Sequence, residues 1–307
     1  MQKIRAPLFV DPIYNGAADP TIIKNEQDGK YYIFYTQRRA SSAFYGVAYC
    51  YGSKIGVAVS EDGGGYWHYL GALDLEFEFG HNTFWAPEVI WNPEDKKYHM
   101  FVSYIRGIQH EWRGDSHILH YTSDNLFDWK YCSVVELDSH CVIDACLYPL
   151  PNGGYRMWYK EGKLNCHTCY ADSRDLVNWE LKGEATLDTQ EGPNVFFFGG
   201  KYWLIACEWC GQAVYSSDDL VNFTRQEGER LLCGSGTRPF DGAVGRHADV
   251  IVIDDKAYIV YFVHYNDSDN IEHPTLHPPT VLQMAELEIK DGRLVCDRNK
   301  EAYVELY

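Results

Sequence analysis

The fold of this chain is decided by a short unit near its start, which reads Ala18-Asp19-Pro20-Thr21-Ile22-Ile23, then Asp28-Gly29-Lys30, then Tyr31-Tyr32-Ile33-Phe34-Tyr35. The β-branched and aromatic residues on either side favour two strands. The Asp-Gly pair between them favours a tight turn. The unit therefore predicts a β-hairpin with an acidic residue near its start.

The same unit recurs four more times, at residues 86–102, 143–159, 191–205 and 247–261. A second signal, a serine-led turn ending in an aromatic residue, follows four of the five units, at 60–67, 123–129, 173–179 and 217–223. The interval between units, about 45–70 residues, is typical of propeller blades, which are four-stranded sheets around a central channel. We therefore predict an all-β fold, a five-bladed β-propeller that residues 1–307 form as a single domain, with a strand near Leu282–Ile289 completing the last blade.

Composition narrows the classes of partner. The formal net charge is −17, and so acidic a chain repels phosphates, so no nucleic-acid partner is expected. No stretch approaches the roughly 18 apolar residues of a membrane span, so no membrane partner is expected. Residues 1–7 lack the apolar core of a secretory signal, which favours a cytoplasmic location. The sequence carries no sign of the oligomeric state.

Chemistry-bearing residues stand at the start of the five units, namely Asp19, Glu88, Asp144, Glu191 and His247. Inner strands of a propeller line the channel, so we expect these side chains to converge. Crowded carboxyl groups raise one another's pKa, which lets one stay protonated near neutral pH. Glycoside hydrolysis needs one such acid and one ionised carboxylate. Each residue also has a structural interpretation, as a turn cap, a loop residue or a hydrogen-bonded core histidine, and their shared repeat position favours the catalytic one.

These motifs resemble those of glycoside hydrolase family 43, and the similarity runs from about Asp19 to Tyr261. The resemblance implies that Asp19, in Asp-Pro, is the general base and that Glu191, in Glu-Gly-Pro, is the general acid. It implies that Asp144 orients the acid and tunes its pKa. Trp85-Ala86-Pro87 looks like the family's Trp-Ala-Pro. The resemblance also implies that His247 sits by a central calcium or water site, so calcium is the one cofactor we consider.

Two positions depart from the family pattern. Ala145 follows Asp144 where proline is common, and Arg246 precedes His247 in an unusual context. Arg246 either meets an acidic sugar or pairs with a carboxylate such as Asp249, and we expect the pairing. These departures put the substrate in doubt more than the fold.

The sequence thus predicts an inverting, exo-acting glycosidase for short plant-derived oligosaccharides carrying arabinofuranose or xylose, the sugars resting on the resemblance. The predicted substrate-binding residues are Tyr35, Phe84, Trp85, Glu88, Trp209 and Arg246.

Several alternatives stay open. A sialidase-like propeller is suggested by the Asp-box-like run at 60–67, but few arginines stand at inner-strand starts. A non-catalytic sugar-binding propeller would need the aromatic residues but not three convergent carboxylates. A glycoside phosphorylase would need a basic phosphate pocket, and a related propeller family acting on neoagaro-oligosaccharides is a further alternative.

Overall fold

The computed structural model describes residues 1–265 and 276–306, and the five predicted units form five sheets arranged as a five-bladed propeller. Blades 1 and 2 contain β3–β6 and β7–β10: Ala17–Lys24, Tyr31–Gln37, Lys54–Ser60 and Trp67–Ala72, then Thr83–Asn92, Lys97–Ile105, Ser116–Ser123 and Lys130–Val134. Blades 3 and 4 contain β11–β14 and β15–β18: Val142–Pro149, Tyr155–Glu161, His167–Ser173 and Trp179–Thr186, then Glu191–Phe198, Lys201–Cys207, Gln212–Ser217 and Thr224–Arg225. One turn of 3-10 helix lies at Gly162–Leu164.

Blade 5 joins the two ends of the chain. Its strands are β19–β22, at Gly245–Ile253, Lys256–His264, Thr280–Lys290 and Arg293–Cys296, together with β2 at Phe9–Val10. β21 covers the strand predicted near Leu282–Ile289, and it pairs with β2 near one end and with β22 near the other. A further pair, β1 (Gln2–Lys3) with β23 (Tyr303–Val304), ties the terminal segments together. The last blade is therefore completed from both ends of the chain, which closes the ring.

The hydrophobic core lies between the blades. Five of the buried clusters each span one pair of neighbouring blades, and the inner strands β3, β7, β11, β15 and β19 contact one another around the ring. The predicted serine-led turns cap the outer hairpins: in blade 3 the Asp175 Oδ1 accepts from the backbone N–H groups of Val177 and Asn178 at 3.0 and 2.8 Å. The aromatic residue of the first such turn, Trp67, is buried, as the repeat suggested.

Every inner strand carries a β-bulge beside the channel. In blade 1, Asp19 and Pro20 together face a single residue of β4, since Ala18 pairs with Thr36 and Thr21 with Phe34. Blades 2 to 4 repeat this, and blade 5 has one extra residue at the same place; the first bulge residues are Asp19, Ala86, Asp144, Gly192 and His247. In blades 1 to 4 the first bulge residue has a φ of 48°, 43°, 62° and 57°. A bulge re-aims side chains, and left-handed backbone at non-glycine residues is a strain found at functional sites.

The bulges also correct the predicted alignment of the repeats. Glu191 lies one residue before its bulge, and Glu88 lies two residues after the first bulge residue of blade 2, Ala86. Asp19, Asp144 and His247 share one position, whereas Glu88 and Glu191 do not.

Candidate active site

A cavity of about 500 Å³ lies where the bulges of the five blades meet, and it is lined by Asp19, Asp144 and Glu191. The structure thus brings together the three carboxylates singled out in the sequence. Trp85, Trp209, Arg246 and His247 line the same cavity. A larger hollow of about 790 Å³ is lined only by residues between Phe77 and His140, so it lies beside blade 2 and away from the point where the five bulges meet, and its Glu78 is held by Tyr104 and Arg106. The central cavity is therefore the candidate site.

Asp19 is held as a carboxylate by two basic neighbours. The Arg38 Nη2 lies 3.3 Å from both of its carboxylate oxygens, and the His247 Nδ1 lies 3.7 Å from Oδ1. Burial alone would raise the pKa of Asp19, but the Arg38 charge, then His247 and the Thr36 hydroxyl, hold it below its usual value. An ionised carboxylate at neutral pH is what a general base requires.

Asp144 has the opposite environment. It is 5% exposed, and its Oδ2 accepts a hydrogen bond from the Gly192 N–H at 3.0 Å. Burial raises the pKa of Asp144 to about 6; the neighbouring His247 opposes this shift and the Glu191 charge reinforces it. The carboxyl group with a raised pKa is therefore the buried Asp144, directly beside the proposed acid.

Glu191 is held by two donors. Lys160 Nζ donates to its Oε2 at 3.0 Å, and Trp209 Nε1 donates to its Oε1 at 2.8 Å. Burial would lower the pKa of Lys160, but the charges of Glu191 and Asp144 raise it, so the amine stays charged. Trp209 has a φ of 59°, a strained conformation that turns its indole towards the acid.

Gly192 explains the Glu-Gly-Pro motif. Its φ is 57°, and a Cβ on it would lie 2.5 Å from Cγ of His247. Only glycine therefore lets the His247 ring pack against the residue that follows Glu191.

One wall of the cavity is aromatic. The Trp85 indole donates from Nε1 to the carbonyl oxygen of Cys50 at 2.6 Å, and its ring packs against Tyr51 and Trp112 at centroid distances of 4.8 and 6.1 Å. Trp112 is 64% exposed. Such faces can stack on sugar rings, so Trp85 and Trp209 remain predicted platforms and Trp112 is added to them, whereas Tyr51 is buried and supports the Trp85 ring.

Two predicted platforms lie elsewhere. Tyr35 is fully buried and donates its hydroxyl to Asp11 Oδ2 at 2.6 Å. Phe84 is 8% exposed and packs against Tyr104 in the core between blades 1 and 2. Both predictions were wrong because strand alternation turns these rings into the inter-blade core.

Glu88, also predicted to bind substrate, lines a second cavity of about 250 Å³ together with Asp249. Its Oε1 accepts from the Leu147 N–H at 2.8 Å, and its Oε2 lies 3.5 Å from the Thr21 hydroxyl. Burial, then the Asp249 charge, raise the pKa of Glu88 well above its usual value. The prediction was wrong because Glu88 follows its bulge, whereas the catalytic candidates lie at or before theirs.

The predicted pairing of Arg246 with Asp249 is absent. Asp249 accepts from the backbone N–H groups of Ile22 and Val250 and from Asn194 Nδ2. Arg246 lines the central cavity instead.

The surroundings of His247 are a poor fit for a calcium ion held by protein ligands. Calcium takes six to eight oxygen ligands, and the carboxylate nearest His247, on Asp19, is already engaged by Arg38. Residues 1–265 and 276–306 contain no group of three or more His, Cys, Asp or Glu side chains arranged to hold a metal ion. A metal role for His247 stays a prediction, and no step below depends on it.

Several cavity residues were missed, namely Arg38, Tyr49, Tyr51, Trp112, Arg113, Lys160 and His264. Lys160 had a usable signal, because it lies near the end of the Tyr-rich second strand of its unit, beside the bulge, whereas Arg38 directly follows the corresponding strand of blade 1. The others lie mainly in loops, where the repeat gives no position.

Comparisons with known proteins support the fold. No protein-family model matches the chain, and no curated protein matches its sequence. Among solved structures, it is similar to a thermostable family-43 glycoside hydrolase (TM-score 0.69, 18% identity, 97% of this chain and 99% of that one). It is also similar to an exo-1,5-α-L-arabinanase from a bovine ruminal metagenomic library (TM-score 0.66, 17% identity, 94% of this chain and 99% of that one). A third similar structure is the GH32 β-fructofuranosidase of Bombyx mori (TM-score 0.70, 14% identity, 94% of this chain and 63% of that one). At such identities the likeness establishes the five-bladed propeller fold that these glycosidases share, and the chemistry has to be argued from the site. Among the described residues, no helix is long and apolar enough to cross a membrane.

Proposed function

We propose that this protein is a glycoside hydrolase that inverts the configuration of the anomeric carbon. One observation carries the proposal: carboxylates from blades 1, 3 and 4 share one cavity but have opposed electrostatic environments. Basic neighbours keep Asp19 ionised, whereas burial, reinforced by the Glu191 charge, raises the pKa of Asp144 to about 6. Carboxyl groups with separated pKa values are the usual sign of a base and an acid.

The proposed roles follow from position. Asp19 removes a proton from water as the water attacks the anomeric carbon. Glu191 is the more exposed member of the acidic pair, with 26% of its side chain accessible, so it protonates the leaving oxygen. Asp144, almost fully buried, holds the peptide after Glu191 and places a second carboxyl group of raised pKa beside it.

For the substrate, we propose exo action on short plant-derived oligosaccharides, with release of arabinofuranose or xylose. A cavity of about 500 Å³ has room for one or two sugar rings. A similar structure is an exo-arabinanase, and another is a xylan β-1,4-xylosidase, whose longer chain this protein covers to 57%. These names support the substrate class without identifying the sugar.

The phosphorylase alternative is less well supported, since in that reaction phosphate takes the place of the water that Asp19 would activate. The cavity does contain arginines, so the experiment has to separate the two reactions. Turnover of 4-nitrophenyl pentosides is followed by proton NMR with and without inorganic phosphate. We expect a hydrolysis product that first appears with inverted configuration, at a rate independent of phosphate. Initial retention contradicts inversion, phosphate dependence indicates a phosphorylase, and absence of turnover on a broad glycoside panel favours a binding propeller.

A further inference from the structure

Among the residues that the structure describes, no acidic side chain pairs with the guanidinium of Arg246. Arg38 pairs with Asp19, Lys160 pairs with Glu191, and the guanidinium of Arg113 lies 4.0 Å from Glu111 at the mouth. Arg246 is half-buried, and in residues 1–265 and 276–306 its guanidinium has no hydrogen-bond or ion-pair partner. Its five N–H donors are therefore available to a ligand.

The position of Arg246 aims it at the substrate. It lies directly before the bulge of blade 5, which is the position that Trp85 and Glu191 occupy in blades 2 and 4. Blade 5 stands between blade 4, with the proposed acid, and blade 1, with the proposed base. A group bound by Arg246 therefore lies within about one sugar of the scissile bond. Its charge is felt locally: after burial and Arg38, it helps lower the pKa of His264 to about 3.

The charge balance of the cavity agrees with this. Four basic side chains, Arg38, Arg113, Lys160 and Arg246, and three acidic ones line the cavity, although the chain as a whole has a net charge of −17. Long-range repulsion of an anion by the outer surface is screened beyond about 8–10 Å in physiological salt. With Arg113 set against Glu111, the basic and acidic groups at the cavity balance in an otherwise acidic protein, and a positive charge is left at Arg246 whenever Asp144 holds its proton.

We propose that the substrate carries a carboxylate, as a uronic acid, and that Arg246 binds it. Arginine is suited to this because its planar fork forms two parallel hydrogen bonds with one carboxylate. The inference rests on the proposed glycosidase function and refines its substrate class from neutral to acidic glycosides. The carboxylate belongs either to the sugar that is released or to the sugar next to it.

The experiment uses substrates that differ by the carboxylate alone. 4-Nitrophenyl β-D-glucuronide and 4-nitrophenyl β-D-xyloside form such a pair for the released sugar, and the α-L-arabinopyranoside and β-D-galacturonide form a second. Xylosides of glucuronic acid and of its methyl ester test the neighbouring sugar. For the arm that contains the true substrate, we expect kcat/KM to favour the carboxylate by about 10- to 100-fold, the range of charge-assisted hydrogen bonds. The preference should vanish in R246M and return in part in R246K, whereas R113M, which also removes a guanidinium from the cavity, should keep it.

A binding measurement separates this inference from the function it rests on. Tryptophan fluorescence of the full chain is titrated with glucuronate, galacturonate, xylose and arabinose, since three of the tryptophans line the cavity. Tighter binding of a uronate, lost in R246M, supports the inference even if no glycoside is hydrolysed. Hydrolysis of neutral glycosides with no carboxylate preference in any arm, or a preference that R246M retains, overturns the inference and leaves the proposed function standing.

Discussion

The Oδ2 of Asp144 accepts a hydrogen bond from the backbone N–H of Gly192 at 3.0 Å. Two bulges meet in this contact, because Asp144 is the first bulge residue of blade 3 and Gly192 that of blade 4. Asp144 therefore positions the peptide that follows Glu191 while its charge acts on the Glu191 carboxyl. One buried side chain thus supplies both the hydrogen bond to the Gly192 peptide and the charge beside Glu191, and substitutions can remove one without the other.

In D144N the amide oxygen still accepts from Gly192, but the negative charge is gone. The carboxyl group whose pKa burial raises to about 6 is then absent. We expect the ionisation near pH 6 to disappear from the pH profile of kcat/KM in D144N. D144A loses the hydrogen bond as well, and its rate should fall at every pH. A D144N profile identical to that of the wild type would contradict the coupling.

Lys160 has the opposite electrostatic effect. Its charge lowers the pKa of Asp144 against the effect of burial, so its removal lets Asp144 keep its proton to higher pH. The basic limb of the K160M profile should move up by about one pH unit. K163M, a change to an exposed lysine three residues on, is the control and should leave the profile in place. A downward shift in K160M would show that Lys160 does not act through the carboxyl pair.

The pair Glu88–Asp249 makes a prediction about stability. Because the pKa of Glu88 is raised in the folded protein, its neutral form stabilises the fold. That contribution is present below the unfolded pKa, near 4.3, and is lost as the pH rises towards the folded pKa. E88Q keeps an oxygen for the Leu147 N–H and has no proton to lose. We expect E88Q to be more stable than the wild type at pH 8 by at least about 1 kcal/mol, or about 2 °C in Tm.

Thermal unfolding of E88Q and wild type at pH 4 and pH 8 checks this. The difference between the two proteins should be small at pH 4, where the Glu88 side chain is largely neutral in the folded and in the unfolded wild type. E94Q, at an exposed position of the same blade, should follow the wild type at both values. If E88Q is less stable at pH 8, the carboxylate is needed in its charged form and the sign argued above is wrong.

The fold was readable from the sequence because turn residues and Tyr-rich strands recur in each blade, and such local signals determine hairpins. The alignment of the units at the channel could not be read from the sequence, because a bulge displaces the strand register by one residue without changing the pattern of strand residues. Pro20, Pro87 and Pro193 carried the missing signal, since all three occupy the second bulge position. Aligned on them, Glu88 separates from Glu191. Ion pairs such as Arg38 with Asp19 join residues 19 positions apart and depend on the folded backbone, which no motif specifies.

The division of labour between Asp19 and Glu191 gives the most direct test of the proposed mechanism. An activated aryl leaving group departs without a proton, whereas a sugar alkoxide needs one, so a general acid matters only for the second. E191Q should therefore keep most of its rate on a 4-nitrophenyl glycoside and lose about 10²–10⁴-fold on the matching oligosaccharide. D19N should lose a comparable factor on both substrates, because water must attack in either case.

The amide variants are matched to their parents in size, and Gln at 191 keeps an oxygen for Trp209 Nε1, so a loss of fold is not expected; circular dichroism confirms this before kinetics. Azide, a nucleophile that needs no deprotonation, is then added to D19N with the aryl glycoside. We expect it to restore part of the rate, because only the activation of water is missing in that variant. If D19N and E191Q both keep wild-type rates on a substrate that the wild type cleaves, the central carboxylates are not the catalytic groups and the mechanism is wrong.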